Sequence, residues 1–298
     1  MSDLSTGVFA PVITPFHTDL SPDTESFTTL CRKLIDEGCD GLVPFGTTSE
    51  ANSLSLDERI DLLEAMVGGG VAASRLIVGT GLCAIPETVR LTSHAVGLGC
   101  AAVLMLPPYY YKGMSDEGLF AAYAEVIERV ADERLRIYLY HIPKVSGVAL
   151  SAALIGRLRD AYPDTVIGIK DSSGDWDNTR MLLEDFPGLR VFPGNELIML
   201  EALRLGAVGC ITATANVNAA GLARLYAEWR GDDAESLQAA ASSVRRAVQS
   251  QAMVPALKQI IARRQGDDGW LTLRPPLVGL DEAQTNALFA ALDEAGFD

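Results

Sequence analysis

Apolar residues in this chain follow two alternating patterns. Short unbroken apolar runs read as strands buried on both faces, and the stretches between them space apolar residues three and four apart, as helices do. Strands are expected at Val8–Phe16, Asp40–Phe45, Arg75–Gly81, Ala101–Leu106, Arg136–Ile142, the run Val166-Ile167-Gly168-Ile169 ending in Lys170, Arg190–Phe192 and Ala207–Ala213. Helices are expected at Asp23–Glu37, Leu56–Val67, Pro86–Leu98, Ser115–Val130, Ser151–Tyr162, Asp177–Phe186 and Glu196–Leu205. Phe27, Leu30, Leu34 and Ile35 form the apolar side of the first helix, and Gly38 fits its stop. Ser55 with Glu58 reads as a capping box for the second.

Eight strand-helix units in succession demand a parallel sheet, and that number suggests closure. The expected class is α/β, a (β/α)8 TIM barrel with a C-terminal helical extension. A doubly wound open sheet is the alternative, but its Gly-x-Gly-x-x-Gly fingerprint is absent after the first strand. Residues 1–217 are expected to form the barrel that carries the active site, and residues 218–298 a helical region packed on it. Pro275-Pro276 breaks that region, and a final helix runs from Asp281 to Ala295. No Ser/Gly-rich linker separates the two parts.

Only Lys33, Lys112, Lys144, Lys170 and Lys258 occur, and of these only Lys170 directly ends an apolar strand-like run. A buried ammonium is costly, so a lysine there loses its proton or finds a partner. A neutral amine is a nucleophile that forms a Schiff base with a carbonyl. The competing reading is a lysine that has left the strand and points into solvent.

Composition narrows the partners. A net charge of -15 over 298 residues disfavours nucleic acid and anionic membrane, though a local site can still hold an anion. Five cysteines, never spaced Cys-x-x-Cys, read as small buried apolar residues in a reducing compartment. The start Met-Ser-Asp-Leu-Ser-Thr-Gly has no basic segment followed by an apolar one, so no signal peptide is expected, and no apolar run reaches membrane-spanning length. A cytoplasmic protein is expected.

In such a barrel the chemistry lies at the C-terminal ends of the strands. Thr47 and Thr48 follow strand two, and Tyr109, Tyr110 and Tyr111 follow strand four. Strand five carries Tyr140 and His141, then Pro143 and Lys144, and strand six ends in Lys170. Gly194, Asn195 and Glu196 follow strand seven, and Thr212, Thr214 and Asn216 follow strand eight. Each group has a plain alternative. Gly46-Thr47-Thr48-Ser49 could simply start a helix, or its backbone N–H groups could hold a carboxylate. The tyrosines could be interface aromatics, and His141 reads better as a structural histidine than as a ligand. His17, His94 and His141 suggest no metal triad, and neither a phosphate-binding P-loop nor a Gly-x-Ser-x-Gly elbow occurs. Amine catalysis without metal, nucleotide or other cofactor is what remains.

Gly46-Thr47-Thr48-Ser49-Glu50, Pro108-Tyr109-Tyr110, Tyr140-His141-Ile142-Pro143, Gly168-Ile169-Lys170 and Ala215-Asn216-Val217, in this order, resemble the dihydrodipicolinate synthase / N-acetylneuraminate lyase family over the whole chain. The resemblance implies a pyruvate-dependent aldolase or lyase acting through a lysine Schiff base. Lys170 would form the imine with the 2-oxo carbon of pyruvate or another 2-oxo acid, and Tyr140 would shuttle the proton. Thr48 would link Tyr140 to Tyr110, which family members often receive from a neighbouring subunit, so a homodimer or homotetramer is implied. The Thr47 and Thr48 backbone N–H groups would hold the carboxylate, and Gly194 and the Ile211 carbonyl would line the pocket. Asn195, Glu196 and Thr212 are further candidate substrate contacts, since hydrogen-bonding groups there suit a substrate's hydroxyls.

Three positions depart from the family pattern. Synthases that condense pyruvate with aspartate semialdehyde carry an arginine two residues after the strand-five proline, and here that position is Val145. Pro143-Lys144-Val145-Ser146-Gly147 is closer to the lyase and 2-oxo-acid aldolase branches. Ser49 stands where glycine is usual, and Leu56 and Arg59 stand where lysine-inhibited synthases have histidines. A hydroxylated 2-oxo acid is therefore the expected substrate. The semialdehyde-condensing synthase and a non-catalytic 2-oxo-acid-binding barrel are the alternatives.

Overall fold

Short-range chemistry sets most element boundaries. The protein is described by a computed structural model over residues 6–297; residues 1–5, where the stretch read for a leader begins, and residue 298 lie outside the described residues. The first half of the chain runs β1 (Gly7–Ala10), α1 (Thr24–Asp36), β2 (Gly41–Leu42), α2 (Leu56–Gly68), β3 (Ile77–Gly79), α3 (Ile85–Gly97), β4 (Ala102–Met105) and α4 (Asp116–Val130). It continues through β5 (Ile137–His141), α5 (Pro143–Ser146), α6 (Ala152–Ala161), β6 (Val166–Asp171), α7 (Trp176–Asp185), β7 (Arg190–Pro193), α8 (Met199–Arg204) and β8 (Gly209–Ile211). Four helices close the chain: α9 (Ala215–Glu228), α10 (Ala234–Gln249), α11 (Met253–Gln265) and α12 (Glu282–Glu294).

The capping box expected at α2 is present: the Glu58 carboxylate accepts from Ser55 N at 2.8 Å, and Ser55 Oγ accepts from Glu58 N at 3.2 Å. Asp23, Ser115, Ser151 and Asp281 cap α1, α4, α6 and α12 in the same way, each with its side chain accepting a first-turn N–H. Several strands are shorter than their apolar runs, and at β1 and β2 the cause is plain. β1 stops at Ala10, ahead of Pro11 and Pro15, which have no N–H to offer a sheet. β2 stops at Leu42, ahead of Pro44 and of Phe45, whose φ of 63° leaves the extended region. The expected helix Glu196–Leu205 divides into a 3-10 turn at Glu196–Ile198 and α8. The short helix α5 has too few residues to show a periodic pattern and was not expected.

The described residues divide into two compact units, one built on residues 72–211 and the other on residues 7–71 and 212–297. In the first, five parallel strands lie in the order β3-β4-β5-β6-β7. Val208 N donates to Val191 O at 3.1 Å just ahead of β8. α4 packs against both α3 and α6. In the second, β1 and β2 pair in parallel with Phe9 opposite Gly41, and α9 covers β1 and packs against α10 and α11. The strand side chains are buried, with Ile167 and Arg190 half-buried, as expected of a parallel sheet covered on both faces. No helix among the described residues is long and apolar enough to cross a membrane.

The cysteine reading needs one correction. Cys31, Cys39 and Cys210 are buried, but Cys83 is exposed and Cys100 half-buried. Cys83 lies in the loop between β3 and α3, where no neighbouring layer covers it.

Candidate active site

The site is built where β5 and β6 end. Tyr140 and Lys170 are register partners across the two strands, and Lys170 also faces Phe192 of β7. Side chains opposite each other in register share a face of the sheet, so strand pairing alone brings the phenol and the amine together. Lys170 is 4% exposed and Tyr140 3%. The amine therefore stays inside rather than leaving the strand for solvent. Its Nζ donates to Tyr140 Oη at 3.4 Å and lies 4.5 Å from the centre of that ring.

The local sequence permits this approach. A Cβ on Gly168 would lie 2.5 Å from Tyr138 Cε1 and 2.3 Å from Arg190 O, so only glycine lets β6 lie this close to its neighbours. The Tyr138 ring packs on Phe192, its hydroxyl accepts from Arg190 Nε at 2.9 Å, and burial raises its pKa. Gly194 repeats the device after β7. Its N–H donates to Asp171 O at 2.7 Å, and a Cβ there would meet Ser172 Oγ at 2.0 Å.

His141 and Asp171 flank the pair on the same strands. His141 Nδ1 accepts from Leu150 N at 3.1 Å. Burial lowers its pKa, against the opposing charge of Asp171, and the neutral ring keeps its proton on Nε2. This is the structural histidine read from the sequence. Asp171 accepts from Thr179 Oγ1 at 2.6 Å and Ser173 N at 3.0 Å, which ties the β6–α7 turn.

The remaining candidates of this unit take different positions. Asn195 Oδ1 accepts from Leu197 N at 2.8 Å, so its carbonyl is used in capping the 3-10 turn. Glu196 is fully buried, as is Ile211 at the end of β8. Tyr110 and Tyr111 are 74% and 66% exposed and meet edge to face at 5.5 Å. Tyr110 is thus not brought to Lys170 within this chain. Lys112 Nζ donates to Ser146 O at 2.6 Å and to Tyr109 O, pinning the tyrosine loop to α5, a role the sequence reading missed. Val145 is 65% exposed.

Thr47, Thr48 and Thr212 belong to the second unit. The segment Gly46–Ala51 is a tight turn: Ser49 N and Ala51 N both donate to Gly46 O, at 3.1 and 3.3 Å, and Glu50 N donates to Thr47 O at 3.2 Å. Thr14 Oγ1 donates to Ser49 O at 2.8 Å from below. Thr212 is buried, its N–H donates to Phe9 O at 3.2 Å, and its hydroxyl accepts from Arg245 Nη1 at 3.3 Å. Asn216 binds the β1 end, accepting from Ile13 N at 3.1 Å and donating to Pro11 O at 3.0 Å. The sequence reading also missed a buried ion pair between Glu50 and Lys258 at 2.6 Å. A lone lysine amid Pro255-Ala256-Leu257 and Ile260-Ile261, in a chain with only five lysines, was the signal for it.

Comparison with known proteins defines the class. The crystal structure of dihydrodipicolinate synthase from Agrobacterium tumefaciens matches at a TM-score of 0.90 and 31% identity, over 98% of this chain and 99% of that one. YagE, an E. coli prophage protein of the dihydrodipicolinic acid synthase family solved in complex with pyruvate, matches at 0.89 and 26% identity, over 99% of this chain and all of that one (100%). The fold is the (β/α)8 TIM barrel with C-terminal helices. The sequence profile of the dihydrodipicolinate synthetase family matches residues 4–295, and the chain belongs to that family. An uncharacterised DapA-like lyase of Chloroflexus aurantiacus is 36% identical over 290 residues, 96% of each chain.

Proposed function

We propose that the protein is a class I lyase that takes pyruvate or another small 2-oxo acid as an imine on Lys170. The observation that carries this reading is the buried Lys170–Tyr140 pair, with Nζ and Oη 3.4 Å apart at the ends of adjacent strands. The Lys170 amine attacks the 2-oxo carbon, and water leaves as the carbon–nitrogen double bond forms. The protonated imine then withdraws electrons from the neighbouring carbon–carbon bond, so that bond breaks or forms at modest cost. Tyr140 moves the proton between the amine, the departing water and the substrate hydroxyl. The Thr47 and Thr48 N–H groups hold the carboxylate, Thr48 relays between Tyr140 and a partner's tyrosine, and Gly194 and the Ile211 carbonyl line the pocket. Residues 1–217 carry this chemistry, and residues 218–298 form the helical region packed on it.

The substrate is a hydroxylated 2-oxo acid. An aldehyde bearing a carboxylate calls for a planar arginine fork, and Val145 supplies none. Asn195, Glu196 and Thr212 remain the candidate contacts for such hydroxyls, with the Asn195 carbonyl and the Thr212 hydroxyl also engaged within the chain. The relatives support a second reading: the Rhizobium meliloti protein named 4-hydroxy-tetrahydrodipicolinate synthase is 33% identical over 305 residues. The exposed Tyr110 and Tyr111 suit burial by another copy of the chain, which gives a homodimer or homotetramer sharing its sites. Free thiols fit a cytoplasmic setting.

Borohydride reduction in the presence of pyruvate tests the chemistry. A pyruvyl adduct on Lys170, absent in Lys170→Ala, is expected; no adduct overturns the imine and leaves the non-catalytic barrel. A kcat/KM panel of 2-oxo-3-deoxygluconate, 4-hydroxy-2-oxoglutarate, N-acetylneuraminate, and pyruvate with aspartate semialdehyde tests the substrate. The arginine's absence should cost the semialdehyde reaction about 2–5 kcal/mol. If that reaction is the fastest, the second reading is right.

A further inference from the structure

The Gly46–Ala51 turn is held from the C-terminal region of the same unit. Glu50, its penultimate residue, has φ 55° and ψ 35°, a left-handed conformation that a residue with a long side chain keeps only where its surroundings over-determine it. Its side chain is fully buried. One carboxylate oxygen lies 2.6 Å from Lys258 Nζ on α11, and the other accepts from Arg274 N at 3.4 Å. Lys258 is 1% exposed, donates to Thr272 O at 2.8 Å and lies 4.7 Å above the Phe16 ring. The Arg274 guanidinium lies at the same distance, 4.7 Å, from that ring. It reaches Ser53 O and Glu58 beyond the turn, so the C-terminal end of the segment and the residues that follow it are gripped by two cations from the C-terminal region.

A buried ion pair adds little net stability over a well-packed apolar pair, while loss of one partner leaves a stranded charge. What such a pair does distinctively is select one geometry. We propose that Lys258 is a positioning residue: through Glu50 it holds Gly46–Ala51 in the conformation that presents the Thr47 and Thr48 N–H groups to a substrate carboxylate. This rests on the reading of that turn as the carboxylate cradle, and it gives the C-terminal helices a part in substrate binding.

Four variants test it: Lys258→Met, which strands Glu50; Glu50→Gln/Lys258→Gln, which keeps a neutral hydrogen-bonding pair; Ile260→Val, which loosens α11 without touching the pair; and Lys258→Arg, which keeps the charge. Amide hydrogen exchange at Thr47–Ala51 should quicken tenfold or more in the first two, with the α2 amides unchanged. Pyruvate KM should rise tenfold or more while kcat stays within threefold, and Lys258→Arg should recover part of the loss. Ile260→Val should lower Tm and leave exchange at the turn and KM unaltered. Wild-type exchange and KM in the double variant overturn the proposal, as does an equal response from Ile260→Val. A double variant that cannot fold assigns the pair to stability alone and overturns it too. Should the wild-type protein form no imine, the function fails, while the exchange measurement still decides whether Lys258 holds the turn.

Discussion

Replacing Tyr140 by phenylalanine removes one oxygen from the centre of the site and leaves the ring in place. Tyr140 is 3% exposed and lies in β5 in register with Lys170, so Tyr140→Phe, which keeps the ring, keeps the shape of the strand and that register. The fold should lose no more than about 0.5–1.5 kcal/mol, the net worth of an ordinary hydrogen bond. The chemistry should lose far more. Lys170 Nζ has the phenol at 3.4 Å as the group that accepts its hydrogen bond, and no carboxylate among the described residues pairs with it. A positioned acid–base group contributes about 10²–10⁴ in rate, or about 2.7–5.4 kcal/mol at 1.36 kcal/mol per tenfold. Steady-state kcat/KM on the best substrate of the panel should therefore fall by about 100-fold to 10,000-fold, mostly in kcat. Borohydride trapping on Lys170 should still occur, only more slowly, because the nucleophile is intact. A folded Tyr140→Phe enzyme within about tenfold of wild type would show that the proton travels by another route, and the role given to Tyr140 would be wrong.

Tyr110→Phe should lower activity, and mixing it with inactive Lys170→Ala chains should restore part of it, because mixed oligomers then contain sites with both groups; an active monomer in sedimentation rules the shared site out. The Glu58 carboxyl is held down at about 2, chiefly by its hydrogen bonds from Arg274 against the opposing effect of burial. A depressed carboxyl stabilises the fold fully above its ordinary pKa of 4.5 and loses that contribution as pH falls through about 2. Solvent screening of this partly exposed pair leaves about 1–2 kcal/mol, so the denaturant midpoints of wild type and Glu58→Gln should differ at pH 7 and draw together as pH falls from ~4.5 toward ~2; a gap that stays constant into acid contradicts this.

Periodicity along the chain was enough to place α1–α4, α6, α7 and α12, because capping and amphipathic spacing are short-range effects. Ser55, Ser115, Ser151 and Asp281 act on N–H groups three residues away, and their helices begin where the residues say they should. The strand ends were less legible, since an apolar run such as Val8–Phe16 continues past the last residue able to join a ladder. Lys170 was legible as a candidate because a lysine closing a buried run is chemically unusual. Whether it faced in or out was not, for that depends on the register of β6 against β5 and β7, which pairs residues about twenty to thirty positions apart. The exposure of Tyr110 and the use of Asn195 and the Thr212 hydroxyl in structural hydrogen bonds were likewise decided by tertiary contacts. The Glu50–Lys258 pair is the extreme case. It joins a turn near the start of the chain to a helix near its end, and no local propensity couples residues so far apart. Sequence chemistry determined which groups this protein has available, and the packing of distant strands and helices decided which of them meet.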